Sequence, residues 1–155
     1  MTDPLLQLSA SISDAFERAS NEADVSSIET QAGLRFPPLF RRLLTDYDFE
    51  SFVLGEVEFF GNAVSDESDD IRNLIFLDPV MSPALLGASL LQVGRPATGS
   101  YDPVCFNLAQ GQIEPELVQV DHESILSFGR LRVSKVVAAS FSNLIVRYAS
   151  VPATF

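Results

Sequence analysis

The sequence has no tryptophan, one cysteine, one histidine, and ten basic residues against 21 acidic ones in 155 positions. Each scarcity excludes something. With Cys105 alone, no intrachain disulfide can form, which fits a reducing cytoplasm. Lying between Val104 and Phe106, that cysteine reads as a small buried hydrophobe. A single histidine, His122, leaves no Cys/His cluster for a zinc site, and no Gly-rich phosphate motif is present. No apolar run approaches the roughly 18–20 residues that a membrane-crossing helix requires. The start, MTDPLLQLSASISDAF, lacks a basic segment and carries Asp3, so it does not read as a secretory signal. The shortage of cations leaves a net charge of −11, the wrong sign for binding nucleic acid or an anionic membrane surface directly.

What is present is the composition of a globular chain, 46% hydrophobic and 20% charged, with twelve phenylalanines to fill a core. Its length suits a single domain, 1–155. The negative charge is concentrated: residues 46–78 hold ten acids against Arg72 alone, a net of −9. Such a run is either a solvated loop with polar strand faces or a patch that steers a basic partner.

Hydrophobic spacing orders the elements. Leu5, Leu8, Ile12, Ala15 or Phe16, and Ala19 form a helical stripe over about 4–20, broken at Asn21–Asp24. Ser26-x-x-Glu29 has capping-box spacing, and the short helix it opens should stop at Gly33. Pro37-Pro38 cannot lie inside a helix but fits its first turn, so a new helix starts there. Leu39, Phe40, Leu43, Leu44 and Tyr47 form its buried face, and Arg41 and Arg42 face water. From Val53 to Phe60 the period becomes two, which predicts a strand closed by Gly61-Asn62. The stretch 65–70, SDESDD, is a loop, and 73–77 is a short strand or one helical turn. Ser89–Val93 is a strand, followed by the turn-rich Gly94–Ser100. Pro103–Leu108 and Glu116–Asp121 form a hairpin, and helical spacing returns over Ser134–Tyr148. The fold class is therefore α+β: N-terminal helices, a central, mainly antiparallel twisted sheet of about four to six strands, and a C-terminal helix.

No residue set suggests catalysis. On a strand, His122 would point away from both Asp121 and Glu123, so these three make no triad. Asp66, Ser68 and Asp70 have the first spacings of a calcium loop, but Ile71 and Leu77 stand where glycine and glutamate are needed. Neither a metal nor a cofactor is expected. The remaining candidate is a surface, with Asp46, Tyr47, Asp48, Phe49, Glu50, Glu56 and Glu58 as its partner-binding residues. Tyr47, Phe49 and Phe52 are its candidate apolar anchors, with a place in the core as the competing reading for Tyr47 and Phe52.

Four segments in order resemble the SUKH superfamily, which includes yeast cell-wall-synthesis regulators and bacterial immunity proteins. They are Ile28-Glu29…Gly33-Leu34-x-Phe36-Pro37…Phe40…Leu43-Leu44, Tyr101–Leu108, Val120-Asp121-His122-Glu123, and Ala138-Ala139-Ser140-Phe141-x-x-Leu144. The resemblance covers about 26–146, with the first helix as an extension. Where the family carries an Asn-Gly turn, this chain has Tyr47–Glu50, and Ile125–Arg132 resembles a bacterial subset. The resemblance implies a non-catalytic binding protein: an immunity protein that neutralises a cognate toxin, for which a basic nuclease would suit the acidic surface. The alternative is a regulatory or scaffold module that binds an endogenous partner; a hydrolase using His122 comes third.

Overall fold

The computed structural model describes residues 3–12, 16–63 and 70–149. Among them the order is α1 (Pro4–Ser11), β1 (Phe16–Arg18), α2 (Glu22–Ala32), α3 (Pro38–Asp46), β2 (Tyr47–Phe49), β3 (Phe52–Leu54), β4 (Val57–Phe59), α4 (Ile71–Phe76), α5 (Met81–Gly87), β5 (Leu90–Pro96), β6 (Val104–Asn107), β7 (Leu117–Val120), α6 (His122–Phe128), β8 (Val133–Ala138) and α7 (Phe141–Tyr148). The fold is α+β. Strands β3 to β8 form one antiparallel sheet in sequence order, and β1 pairs with β2 as a separate ribbon.

Alternation along the central strands divides the core in two. Leu91, Phe106 and Leu117 face the larger cluster, where α3 and α7 pack. Their neighbours Leu90, Cys105 and Val118 face a smaller one closed by Met81 and Leu85 of α5 and Ile125 of α6. Cys105 is fully buried, and desolvation pushes its thiol well above the ordinary range. The large cluster is built on phenylalanine. Phe40 touches the rings of Phe36, Phe59, Phe106 and Phe141, at centroid separations of 5.8, 6.0, 5.3 and 5.1 Å.

Helix α3 begins as its prolines dictate, with Pro37 as N-cap and Pro38 in the first turn, where no N–H is needed. Gly33 ends α2 in the left-handed region at φ 71°, donating its N–H to the Glu29 carbonyl. Arg42 is exposed, as expected of a wet face, whereas Arg41 is not. Arg41 is half-buried and forks onto Glu22 (2.9 Å) and Glu29 (3.0 Å) of α2, while Arg42 reaches Asp3 at 2.8 Å. Together they tie α3 to the two preceding helices. Glu29 also accepts from the Phe36 N–H, so it closes the α2–α3 strap rather than a capping box. The helix itself starts four residues earlier than Ser26, at Glu22.

Other boundaries move because pairing overrides local period. The first helix ends at Ser11, and Phe16–Arg18 instead pairs with Tyr47–Phe49. The single strand expected over 53–60 is a hairpin that turns at Gly55-Glu56, with Leu54 opposite Val57. Strand β5 runs on through Gly94 to Pro96. Gly94 is required there, because a Cβ would collide with the Glu58 carbonyl oxygen of β4. The stretch 73–77 lies mainly in α4, and α5 had no counterpart in the sequence reading. The helix expected over 134–148 divides into edge strand β8 and α7, the latter capped by the Ser140 hydroxyl, which accepts from the Asn143 N–H. The SDESDD loop lies outside the described residues apart from Asp70, whose carboxylate caps α4.

Candidate functional site

The residues proposed as one patch divide into two groups and the core. Tyr47 and Phe49 are 7% and 2% exposed, and Phe52 is 5% exposed. These aromatics are not surface anchors. Phe16 packs against all three from β1, with centroids 5.9, 5.3 and 5.2 Å away, and Arg18 donates to the Tyr47 hydroxyl at 3.2 Å. The physical reason is the β1–β2 ribbon: the alternation that turns Asp48 outward turns Tyr47 and Phe49 inward. Glu56 and Glu58 belong to the β3–β4 hairpin, where Glu56 lies 3.7 Å from Lys135 and Glu58 stands across from Arg95.

Asp46, Asp48 and the exposed Glu50 remain around the ribbon, and the fold gives Asp48 new company. A groove of about 550 Å³ is lined by Asp24 of α2, Asp48 of β2 and Asp70 at the start of α4, with Arg72 as the cation in its lining, over buried Val25, Ile28 and Leu44. Two asparagines brace it. Asn21 Nδ2 donates to the Leu44 and Tyr47 carbonyls (3.2 Å each) and to Asp48 Oδ1 (2.8 Å). Asn62 Nδ2 donates to the same two carbonyls at 3.1 and 2.9 Å, and its Oδ1 accepts from the Phe49 N–H at 3.0 Å. The Leu44 carbonyl in the last turn of α3 and the Tyr47 carbonyl at the start of β2 are held in this way, which braces the turn between them. Glu17 is the cross-strand partner of Asp48, and its exposed carboxylate extends the acidic face. The sequence reading took Asn21 only as a helix break and Asn62 only as a turn residue. Their amide NH2 groups bond carbonyl and carboxylate oxygens 15 to 27 positions away, a role that no local pattern displays.

His122 occupies a different setting from the strand expected for it. It is the first residue of α6, and the Asp121 carboxylate caps that helix by accepting from the Glu123 N–H. The partner of His122 is Asp102, from the loop before β6. Asp102 Oδ1 lies 2.5 Å from His122 Nδ1 and accepts from the His122 backbone N–H at 3.0 Å, and Oδ2 accepts from Gln119 at 2.8 Å. Burial pushes the Asp102 carboxyl up, but the hydrogen bonds from His122 and Gln119 outweigh it and hold it below the ordinary carboxylate value. An ionised carboxylate only accepts, so Nδ1 carries the hydrogen and Nε2 is left as the variable nitrogen.

Asp102, Asp121 and His122 bring possible metal-ligand atoms within 4.8 Å of one another, and they are the group of this kind among the described residues. Each carboxylate is already engaged as a helix cap or loop brace, so a cation would have to displace those bonds. His122 also borders a cavity of about 590 Å³ on the α5–α6 side of the sheet, with no serine, threonine, cysteine or lysine in its lining. Another depression, of about 810 Å³, borders Arg41, whose guanidinium is already committed to Glu22 and Glu29. No family model matches this chain, and a search of curated proteins finds no match.

Proposed function

We propose that this protein is a non-catalytic binding module of the SUKH type, acting as an immunity protein whose acidic face covers a basic surface of a cognate toxin. The observation that carries the reading is the convergence of Asp24, Asp48 and Asp70 on one groove with an apolar floor. Those residues come from three separate segments. A lysine or arginine side chain entering the groove would lay its methylene stem on Val25, Ile28 and Leu44 and carry its cation to the carboxylates. The field of a chain with net charge −11 would speed encounter with a basic nuclease. In place of the sequence-derived patch, this reading uses Asp24, Asp48 and Asp70 in the groove with Glu17, Asp46 and Glu50 around it, without Tyr47 and Phe49.

The experiment is co-expression with the product of the adjacent gene, followed by binding kinetics on the purified pair. Growth should be rescued. Reversing Glu17, Asp24 and Glu50 to lysine should slow association about tenfold or more at low salt, with little effect in concentrated salt. If the adjacent gene encodes no toxin and its product does not bind, the immunity reading fails. An association rate that ignores the reversals would remove the acidic face from it.

A further inference from the structure

The cavity beside His122 has a feature that the acidic groove does not account for. A β-bulge in β5 shifts the register between Gln92 and Gly94, so Gln92 and Arg95 project from the same face of the sheet although they are three residues apart. Both line the cavity. The Arg95 guanidinium is held between aromatic rings, with its central carbon 5.3 Å from the centroid of Phe60 and 5.4 Å from that of Tyr101. Its Nε is buried and has no hydrogen-bond acceptor, and Arg95 forms no ion pair among the described residues. A buried cationic donor without an acceptor is costly, and native structures rarely leave one so. Gln92, 6% exposed, spends its amide on one long bond, 3.4 Å to the Gly94 carbonyl. The Tyr101 ring also meets His122 edge-on at 6.2 Å, so Tyr101 joins the arginine to the His122–Asp102 pair.

We infer that this cavity binds a small monocarboxylate with an apolar stem. The planar carboxylate would take the Arg95 fork, including the Nε–H, in the two-bond geometry that guanidinium and carboxylate share. Gln92 supplies a further amide donor and His122 Nε2 a group able to donate when protonated. Leu74, Leu77, Met81 and Leu126 supply apolar lining that suits a hydrocarbon stem, and the lining also holds Asn73 and Asp78, whose carboxylate accepts from the Val80 and Met81 N–H and opposes a doubly charged phosphate more than a monocarboxylate. A cavity of about 590 Å³ lies in the range of small-molecule sites. This site shares Asn73 of α4 with the acidic groove and otherwise has a separate lining, and its test does not depend on the toxin reading.

The test is a titration of the ¹⁵N-labelled protein with hexanoate, hexanamide and inorganic phosphate, following the Arg95 Nε–H and His122 ring resonances. Hexanoate should give a saturable shift of both, with hexanamide and phosphate at least tenfold weaker. Arg95→Met should abolish the saturable response at His122. Leu77→Asp, at the exposed rim, should weaken hexanoate binding at least tenfold while leaving Arg95 in place. The inference is overturned if hexanoate gives no saturable shift, if hexanamide or phosphate binds as tightly, or if Leu77→Asp has no effect. The wild-type comparison and the rim variant decide the matter even if Arg95→Met does not fold.

Discussion

Phe40→Ala removes the ring at the centre of the larger core, and the expected cost follows from its surroundings. Phe40 has no exposed surface, and four other aromatic rings lie within 6.0 Å of its centroid. Truncating a buried phenylalanine to alanine costs about 3–5 kcal/mol, made up of lost transfer energy and the cavity left behind. Ring–ring contacts of this kind add about 0.5–1.5 kcal/mol beyond the buried area, although four neighbours do not add independently. The neighbours come from the α2–α3 strap, β4, β6 and α7, so the cavity cannot close by moving one element. The cost should therefore fall at the upper end, about 4–5 kcal/mol, a large share of the about 5–15 kcal/mol that holds a domain together. Urea unfolding followed by circular dichroism measures it, and the melting temperature should drop by about 10–20 °C. Leu39→Ala, at the adjacent half-buried position, is the control and should cost about half as much or less. If Phe40→Ala costs under about 2 kcal/mol, or no more than Leu39→Ala, the packing argument is refuted.

Two further outcomes follow from the polar contacts. Asp102 ionises more readily in the folded protein than in the unfolded chain, so its bonds to His122 and Gln119 stabilise fully above the unfolded value of about 3.9 and are lost as pH falls through the lower folded value; the stability gap between wild type and Asp102→Asn should shrink in urea melts below about pH 4, and a gap that stays constant would contradict the pairing. Arg41→Met should cost about 1–2 kcal/mol in the same assay because it leaves Glu29, with its side chain 11% exposed, without its cation, whereas Arg42→Met should stay within about 0.5 kcal/mol because that pair is exposed.

The features legible in the sequence were those set by chemistry within a few residues. Pro37-Pro38 could only open a helix, Gly33 could only end one cheaply, and Val104–Asn107 and Leu117–Val120 carried enough strand character to read as a hairpin. The order of helices, antiparallel strands and a last helix fixed the α+β class for the same reason: periodicity over several residues reports which face is buried. The three-residue strands β1, β2, β3 and β4 were harder, because three residues hold too little pattern to separate a strand from a helix end or a turn. In β8, four successive exposed residues at a sheet edge removed the burial alternation altogether.

The site was decided by long-range contacts. The sequence determined the charge, the concentration of acids in residues 46–78 and the lack of a local catalytic motif. It did not determine that Tyr47 and Phe49 point inward while Asp48 points outward, because that depends on Phe16 arriving from β1 to make a strand pair. Nor could it place Asp24 beside Asp70, or Asp102 beside His122, across intervals that only the folded backbone closes. The bulge that puts Gln92 and Arg95 on one face is likewise a property of β5 registered against β6. Local patterns come from each residue's own backbone preferences and neighbours, whereas a site forms from groups that meet after the core has closed, and here that core is the phenylalanine cluster around Phe40.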